Sequence, residues 1–366
     1  MEFTSQDIKY MRRAIRLGAK GKGSTFPNPP VGAVLVKDGC VIGEGWHRYK
    51  GESHAEIHAI VNAKKHGAII NGATLYVTLE PCCHHGATPP CVEAIIAAGI
   101  SKVYIANIDD YDAHMCGTGI SRLETAGIEV FPGLMEDKGR ELIEHYIVQR
   151  VEHRAFLTAK WAQSLDGLIA TSSGDSKWIS GESARKVAHK LRSEHCAVAV
   201  GANTVFSDDP KLTVRNVKSH HNPVRIILAG ARELPVDLNI FTPGAKIIIV
   251  HSGEFKLDAE PKTDVEFIEI RRDEDFWDEL LAELPKRGIG SVLLEGGGKV
   301  ITSALKAGAV DRVCCIIAPI IIGEGIEAVG DIGTDSVADA LKLWDVRREY
   351  LGQDILITGK LRGYSG

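Results

Sequence analysis

His54-Ala55-Glu56, Glu80-Pro81-Cys82 and Pro89-Pro90-Cys91 are the stretches on which the reading of this chain turns. One imidazole and two thiols can hold a zinc ion through three ligands and leave the fourth position to water; a structural site would close all four. A carboxylate two residues from the imidazole is placed to move that water's proton. Zinc brings its bound water to a pKa of about 7, so the pattern points to hydrolysis. A His-x-Glu followed by Pro-Cys is the arrangement of zinc deaminases that act on base-like rings. His54, Cys82 and Cys91 are the expected ligands and Glu56 the expected proton carrier. Eight residues separate the two cysteines, where the general deaminase signature has two. That loop holds rival ligands in His84 and His85, which would give a closed structural site, and Cys83, read as a small packing residue.

Elements read outward from the motif alternate between strand and helix. His54–Lys65 reads as a helix, Ala73–Thr78 as a strand that leads to Glu80, and Cys91–Ala98 as a helix. Thiols at a helix start favour the thiolate form. Upstream, residues 5–20 have apolar positions at helical spacing, with Ser5 as N-cap. Val31–Val36 and Val41–Trp46 read as strands joined by an Asp38-Gly39 turn. Downstream come strand Lys102–Ala106, helix Ser121–Ala126, strand Ile128–Phe131 and a charged helical stretch over 135–153. A domain boundary is placed near 150, giving domains 1–150 and 151–366. The second domain repeats the alternation: strands Phe156–Lys160, Ala197–Gly201, Val224–Leu228, Ala245–Val250, Ser291–Leu294, Arg312–Ile317 and Ile355–Leu361, with helices Glu182–Arg192, Phe276–Leu284 and Lys299–Ala307. Segments 206–223 and 327–342 read as loops or short helices. The fold class is α/β throughout.

Composition excludes several functions. The 366 residues carry 43 Lys+Arg against 48 Asp+Glu, and neither half has a basic surplus: 16 against 17 over residues 1–150, and 27 against 31 beyond. A nucleic-acid deaminase would carry a basic patch, so a small-molecule substrate is expected, with no nucleic acid and no membrane as partner. Met1–Asp7 is polar and acidic, unlike a signal peptide, and no apolar run reaches the length of a membrane span. The cytoplasm, with eight reduced cysteines, is the default.

In the second half, Ser291–Ser303 runs from an apolar strand through three glycines into a helix. Such a turn lets backbone N–H groups approach phosphates, although glycine turns also serve tight packing. A second cluster spans Ser164-Leu165-Asp166-Gly167 and Gly174-Asp175-Ser176-Lys177-Trp178-Ile179-Ser180, where Trp178 is either a core residue or a platform for a ring.

Gly51-Glu52-Ser53-His54-Ala55-Glu56, Leu79–Cys91 and Pro27-Asn28-Pro29-Pro30-Val31-Gly32 resemble the bifunctional deaminase–reductase of riboflavin biosynthesis. So do Lys160, Asp166-Gly167, Gly174–Ile179, Gly201, Thr204-Val205, Asp208-Asp209-Pro210, Pro223-Val224-Arg225 and Glu295-Gly296-Gly297. The likeness covers residues 5–360 in order. It implies a cytidine-deaminase-like α/β/α sandwich that removes the 2-amino group of 2,5-diamino-6-(5-phosphoribosylamino)pyrimidin-4-one. It also implies a dihydrofolate-reductase-like domain that reduces the ribosyl chain to ribityl with NADPH. It places Asn28, His47 and Asp110 in the pyrimidine pocket. Ala162, Trp178, Thr204, Asp208 and Gly297, Gly298, Lys299, Val300, Ile301, Thr302 and Ser303 fall at NADPH. Lys160, Ser176, Arg192, Leu212, Arg215 and Glu295 fall at the second substrate, with Arg192 and Arg215 as phosphate clamps. A homo-oligomer is implied too. The chain departs from the family at Ala87, where a cation is usual, and at Asp112, where Asn is usual. Both changes disfavour a phosphorylated substrate. They motivate an alternative in which only one half works; a second alternative is a non-catalytic nucleotide-binding protein with structural zinc.

Overall fold

A computed structural model describes residues 3–84, 89–111, 117–219 and 221–363. The chain divides into two compact units between His153 and Arg154, against an expected boundary near 150.

The first unit is a five-stranded sheet between two helical layers. Its elements are α1 (Ser5–Gly18), β1 (Gly32–Lys37), β2 (Cys40–Trp46), α2 (Ala55–Lys65), β3 (Thr74–Leu79), α3 (Cys91–Ala97), β4 (Lys102–Asn107), α4 (Thr118–Thr125), β5 (Glu129–Pro132), α5 (Glu136–Leu142) and α6 (Glu144–Glu152). The strand order is β2-β1-β3-β4-β5, antiparallel up to β3 and parallel from there. Period-two alternation divides the core. Ala33 and Leu35 of β1 face α2 and α3 together with Leu75, Val77, Val103 and Ile105. Val34 and Val36 face Tyr10, Met11 and Ala14 of α1. Asp38 and Gly39 make the hairpin turn at φ 50° and 75°, which suits a two-residue connection. Helix α2 lies directly on β2 because Gly43 and Gly45 leave room: a Cβ on either would meet the α2 backbone within 2.4 Å. The N-cap of α1 is Thr4, not Ser5. Thr4 and Asp7 satisfy each other's backbone N–H in a capping box, a pairing open only to the residue three before Asp7.

The second unit contains β6 (Phe156–Gln163), β7 (Leu168–Thr171), α7 (Glu182–Ser193), β8 (Ala197–Gly201), α8 (Ala202–Asp208), β9 (Val224–Gly230), β10 (Ile247–His251), β11 (Val265–Glu269), α9 (Phe276–Glu283), β12 (Ser291–Glu295), α10 (Gly298–Lys306), β13 (Arg312–Ile317), β14 (Gly325–Glu327), β15 (Trp344–Leu351) and β16 (Asp354–Lys360). Nine strands lie in the order β11-β10-β9-β8-β12-β6-β13-β16-β15, and β14 pairs with β7. The first seven are mutually parallel; β16 and β15 close the sheet antiparallel. From β6 the chain moves to β8 and outward to β11, then returns to insert β12 between β8 and β6. Sheets with such a reversal bind ligands at the carboxyl ends of the strands. Apolar clusters cover both faces. Arg154 at the head of the unit is buried and forks onto Asp311 at 2.6 and 2.8 Å, while Asp311 also accepts the Leu157 amide. Elements β7, β11, β14, β15 and α8 were not foreseen. They are three to eight residues long, and β15, Trp-Asp-Val-Arg-Arg-Glu-Tyr-Leu, has too many charges to read as a strand.

Candidate active sites

The three expected ligands come from three places and meet. His54 is the N-cap of α2, Cys82 follows β3, and Cys91 is the first residue of α3. Nδ1 of His54 is 3.4 Å from Cys82 Sγ and 3.3 Å from Cys91 Sγ. Zinc bonds of about 2.1 Å to nitrogen and 2.3 Å to sulfur imply an N–S separation of roughly 3.6 Å at the tetrahedral angle. The donor set and its spacing therefore fit zinc. The Cys91 amide donates to Cys82 Sγ at 3.3 Å, so the start of α3 holds one sulfur as thiolate. The Cys91 hydrogen bond, opposed by burial and aided by His54, pulls the Cys82 thiol down to about 4. All the described cysteines are free thiols. Cys83 packs against the core, as expected, and His84 is exposed. His85, Ala87 and Asp112 lie outside the described residues.

Glu56 sits in the first turn of α2 with 3% of its surface exposed. Burial pushes its carboxyl up to about 7, against the pull of His54. A carboxyl that gains and loses its proton near neutrality suits general acid–base work. His47 is buried, with its ring edge-on to His54 at 5.3 Å. Its Nδ1 lies 3.2 Å from the Ser53 carbonyl, which only accepts, so Nδ1 carries the proton. Nε2 is then an acceptor and takes the Asn28 amide at 3.2 Å. Burial, followed by smaller opposing effects, lowers the His47 pKa and keeps the ring neutral. Asn28 and His47 are thus brought together beside the ligands. Asp110 is exposed, and its neighbour Asp109 is the buried one, accepting from Tyr146 Oη at 3.1 Å.

Glu80, to which no role was assigned from its residue type alone, organises the wall of this site. Its two oxygens accept the backbone N–H groups of Asp109, Gly117, Gly119 and Ile120 at 2.8–3.3 Å. The carboxylate caps the start of α4 and ties Asp109 and residues 117–120 to the end of β3. Only the fold brings those four amides together; the available signal was an acidic residue between a strand and Pro81. Gln at position 80 would turn an NH2 toward two N–H donors. Glu80→Gln is expected to cost about 2–4 kcal/mol in urea denaturation and to raise the deaminase KM while zinc content stays at one per chain.

In the second unit Lys160, in the middle of β6, is the register partner of Glu295 at the end of β12. Arg192 of α7 forks onto Glu295 at 2.6 and 2.9 Å and gives a third bond to the Thr213 carbonyl at 3.3 Å. Arg192, expected at the second substrate, is paired here with Glu295: a buried guanidinium needs a counter-charge, and Glu295 is the one in reach. Burial raises the Glu295 pKa, but Arg192 and Lys160 outweigh it and hold the group at about 2. Burial lowers the Lys160 pKa against the pull of Glu295. Arg215 is exposed; Leu212 is buried in the core at φ 49° and offers only backbone outward. Ser176 is half-buried, and Trp178 is 71% exposed under the Arg185 guanidinium at 4.5 Å. Trp178 is a surface platform rather than core.

Gly297 is the N-cap of α10, and its amide donates to Thr204 Oγ1 at 3.1 Å. Gly298 and Lys299 follow on the first turn; Ala162 is the penultimate residue of β6, and Asp208 is exposed at the end of α8. Beyond the turn only part of the helix faces inward, and Ser303 is exposed. Ile301 is fully buried, Val300 packs on the core, Ser303 accepts from Trp277, and Thr302 bonds the Gly298 carbonyl. Residues 297–299 form the glycine turn and the first residues of α10. A Cβ on Gly298 would sit 2.1 Å from the Glu327 carbonyl oxygen. Gly298→Ala is expected to cost about 1–3 kcal/mol in a thermal melt by prising α10 from β14.

Fold and sites together define the class: a zinc-binding, cytidine-deaminase-like unit followed by a reductase unit. The model of the cytidine and deoxycytidylate deaminase zinc-binding region matches residues 4–107, and that of the RibD C-terminal domain matches residues 155–357. Riboflavin biosynthesis protein RibD of Aquifex aeolicus is 44% identical over 352 residues, covering 96% of this chain and 97% of its own. The Escherichia coli protein of that name is 35% identical over 368 residues, covering 96% and 98%. The crystal structure of a diaminohydroxyphosphoribosylaminopyrimidine deaminase/5-amino-6-(5-phosphoribosylamino)uracil reductase from Thermotoga maritima superposes with a TM-score of 0.86 at 37% identity, covering 98% of this chain and 99% of that one. The chain belongs to the RibD family of riboflavin biosynthesis proteins.

Proposed function

We infer that this chain deaminates 2,5-diamino-6-(5-phosphoribosylamino)pyrimidin-4-one in its first unit and reduces the ribosyl chain of 5-amino-6-(5-phosphoribosylamino)uracil to ribityl in its second. The observation that carries the reading is the convergence of His54, Cys82 and Cys91 beside a buried Glu56. Both family domains are present in one chain, which disfavours the alternatives of one working half or of a silent binding protein.

Zinc held by His54, Cys82 and Cys91 would supply a water of pKa about 7 and a Lewis acid. Glu56 takes a proton at its carboxyl and returns it to the departing ammonia; a pKa near neutrality allows both transfers. Asn28 and neutral His47 present a fixed pair of polar groups to the ring. In the second unit NADPH supplies the hydride, and the protein's task is placement. Gly297, Gly298 and Lys299 at the start of α10, with Thr204 bracing Gly297, would seat the dinucleotide phosphates; Ala162, Trp178 and Asp208 complete that surface. Lys160 and Glu295 orient the sugar, Ser176 and the Leu212 backbone border it, and Arg215 meets its phosphate.

Among the described residues no helix is long and apolar enough to cross a membrane, consistent with a cytoplasmic enzyme. Trp344, Val346 and Tyr350 alternate along the free edge strand β15 and are all exposed, which supports a homo-oligomer built on that strand. The test of function is mass analysis of the diaminopyrimidine phosphate after incubation with zinc-loaded protein. Product deaminated without NADPH, and deaminated and reduced with it, establishes both halves. Reduction of pre-deaminated substrate alone would leave the first unit without this activity.

A further inference from the structure

The segment 209–216 carries Leu212 and Arg215 and is held against its own preference. Asp209, Leu212 and Asn216 adopt φ of 42°, 49° and 63° without being glycine, conformations that persist only where surrounding contacts impose them. Asp209 accepts two bonds from Asn239 at 2.6 Å, and the Val214 amide donates to Asn222 at 2.9 Å. The remaining grip comes from α7. His189 and Arg192 are three residues apart and so share a helix face. Arg192 donates to the Thr213 carbonyl, and two residues on the Arg215 amide donates to His189 Nδ1 at 3.2 Å. One donor and one acceptor on α7 thus clamp alternate residues of the loop. Arg192 is tied in turn to Glu295.

We propose that His189 is a positioning residue of the reductase half: its unprotonated Nδ1 holds the Arg215 amide and so fixes where the Arg215 guanidinium meets the anionic end of the substrate. This rests on the reductase reading above. His189 is 8% exposed and has no place in the chemistry itself. An imidazole that accepts at Nδ1 must be neutral with its proton on Nε2. The groups around it favour that form: burial, then Arg192 on its own helix and Arg215 on the loop lower its pKa, against a weaker opposite pull from Glu295 on β12 and the Thr213 backbone. On acidification Nδ1 becomes a donor facing a donor, and the clamp at residue 215 is lost.

Two variants separate this from a role in packing alone. Asn at 189 can place an acceptor oxygen where Nδ1 stood and cannot titrate; Ala can do neither. In the full-length protein with NADPH and 5-amino-6-(5-phosphoribosylamino)uracil, His189→Ala is expected to raise the substrate KM about five- to tenfold, the equivalent of one lost hydrogen bond. Its kcat should stay within about twofold and its NADPH KM should not move. His189→Asn should recover the KM and flatten the acid limb of kcat/KM. Hydrogen exchange of the 211–217 segment, corrected for intrinsic rate and measured without any ligand, should quicken in wild type between pH 7.5 and 5.5, and in His189→Ala at both. Equal loss of kcat and KM, an acid limb that survives in His189→Asn, or exchange indifferent to His189 while the enzyme turns over would overturn the proposal alone. A wild-type protein that reduces nothing, even with its loop protected by His189, would overturn the reductase reading and the proposal with it.

Discussion

Glu56→Gln is expected to lower deaminase turnover by about 10²- to 10⁴-fold, the contribution of a positioned acid–base. Gln has the shape of Glu but neither accepts nor delivers the proton. Zinc should stay at one per chain, because the ligand atoms belong to His54, Cys82 and Cys91. Reduction of pre-deaminated substrate should be untouched, since Glu56 lies in the other unit. The substitution should also change stability, with a definite sign. In the metal-free protein the buried carboxyl titrates at about 7 rather than its ordinary 4.5. The folded state therefore binds that proton more tightly than the unfolded chain does, and the wild type loses stability as pH rises from 4.5 through 7. The full effect is of order 3 kcal/mol above pH 7. Metal-free Glu56→Gln should match wild type at pH 4 and exceed it at pH 8 in urea denaturation. A variant that retains a tenth or more of the turnover would remove Glu56 from the proton path.

Glu295→Gln should strongly destabilise the reductase unit. The carboxylate neutralises Arg192 and faces Lys160, and the Arg192 and Glu295 side chains are only 13% and 12% exposed. Removing it strands two cations in a low-dielectric site, a change that costs about 3–5 kcal/mol. Arg192→Met/Glu295→Gln should lose less than Glu295→Gln alone, because the stranded guanidinium goes too; a double-mutant cycle in urea denaturation measures that difference. The pH dependence follows from the lowered pKa. Glu295 titrates at about 2 when folded against 4.5 ordinarily, so its contribution is fully present above pH 4.5 and drains away as pH falls toward 2. Wild type should lose that increment on acidification and Glu295→Gln should not. Strictly additive single losses would mean that the ion pair contributes nothing.

The metal centre was legible because its chemistry is local in type. Only His, Cys and a nearby Glu do this work, and their order along the chain survives folding. The strands and helices that carry it were legible from periodicity; Ala197–Gly201 and Arg312–Ile317 were read to the residue. Short elements were not. β14 has three residues, and β15 is a charged edge strand held by β16 alone, so neither has a buried face to mark it. The pairing of Arg192 with Glu295 was not legible, because a sequence shows charges but not which carboxylate lies within reach 103 residues later. The resemblance places Ile301 at the cofactor, whereas its side chain is fully buried in the core.

Residue type and order by themselves determined the α/β class, the two-part chain, the His-Cys-Cys group that can hold a metal, and the glycine turn. Each of these depends on chemistry or periodicity carried by residues near one another in the chain. Tertiary structure alone decided that Glu80 would gather four amides, that Glu295 would take Arg192 from solvent, that Leu212 would turn inward, and that His189 would clamp Arg215. Those are pairings between distant segments. Each forms because a buried charge or amide must find a partner, and which partner it finds depends on where the sheets place it.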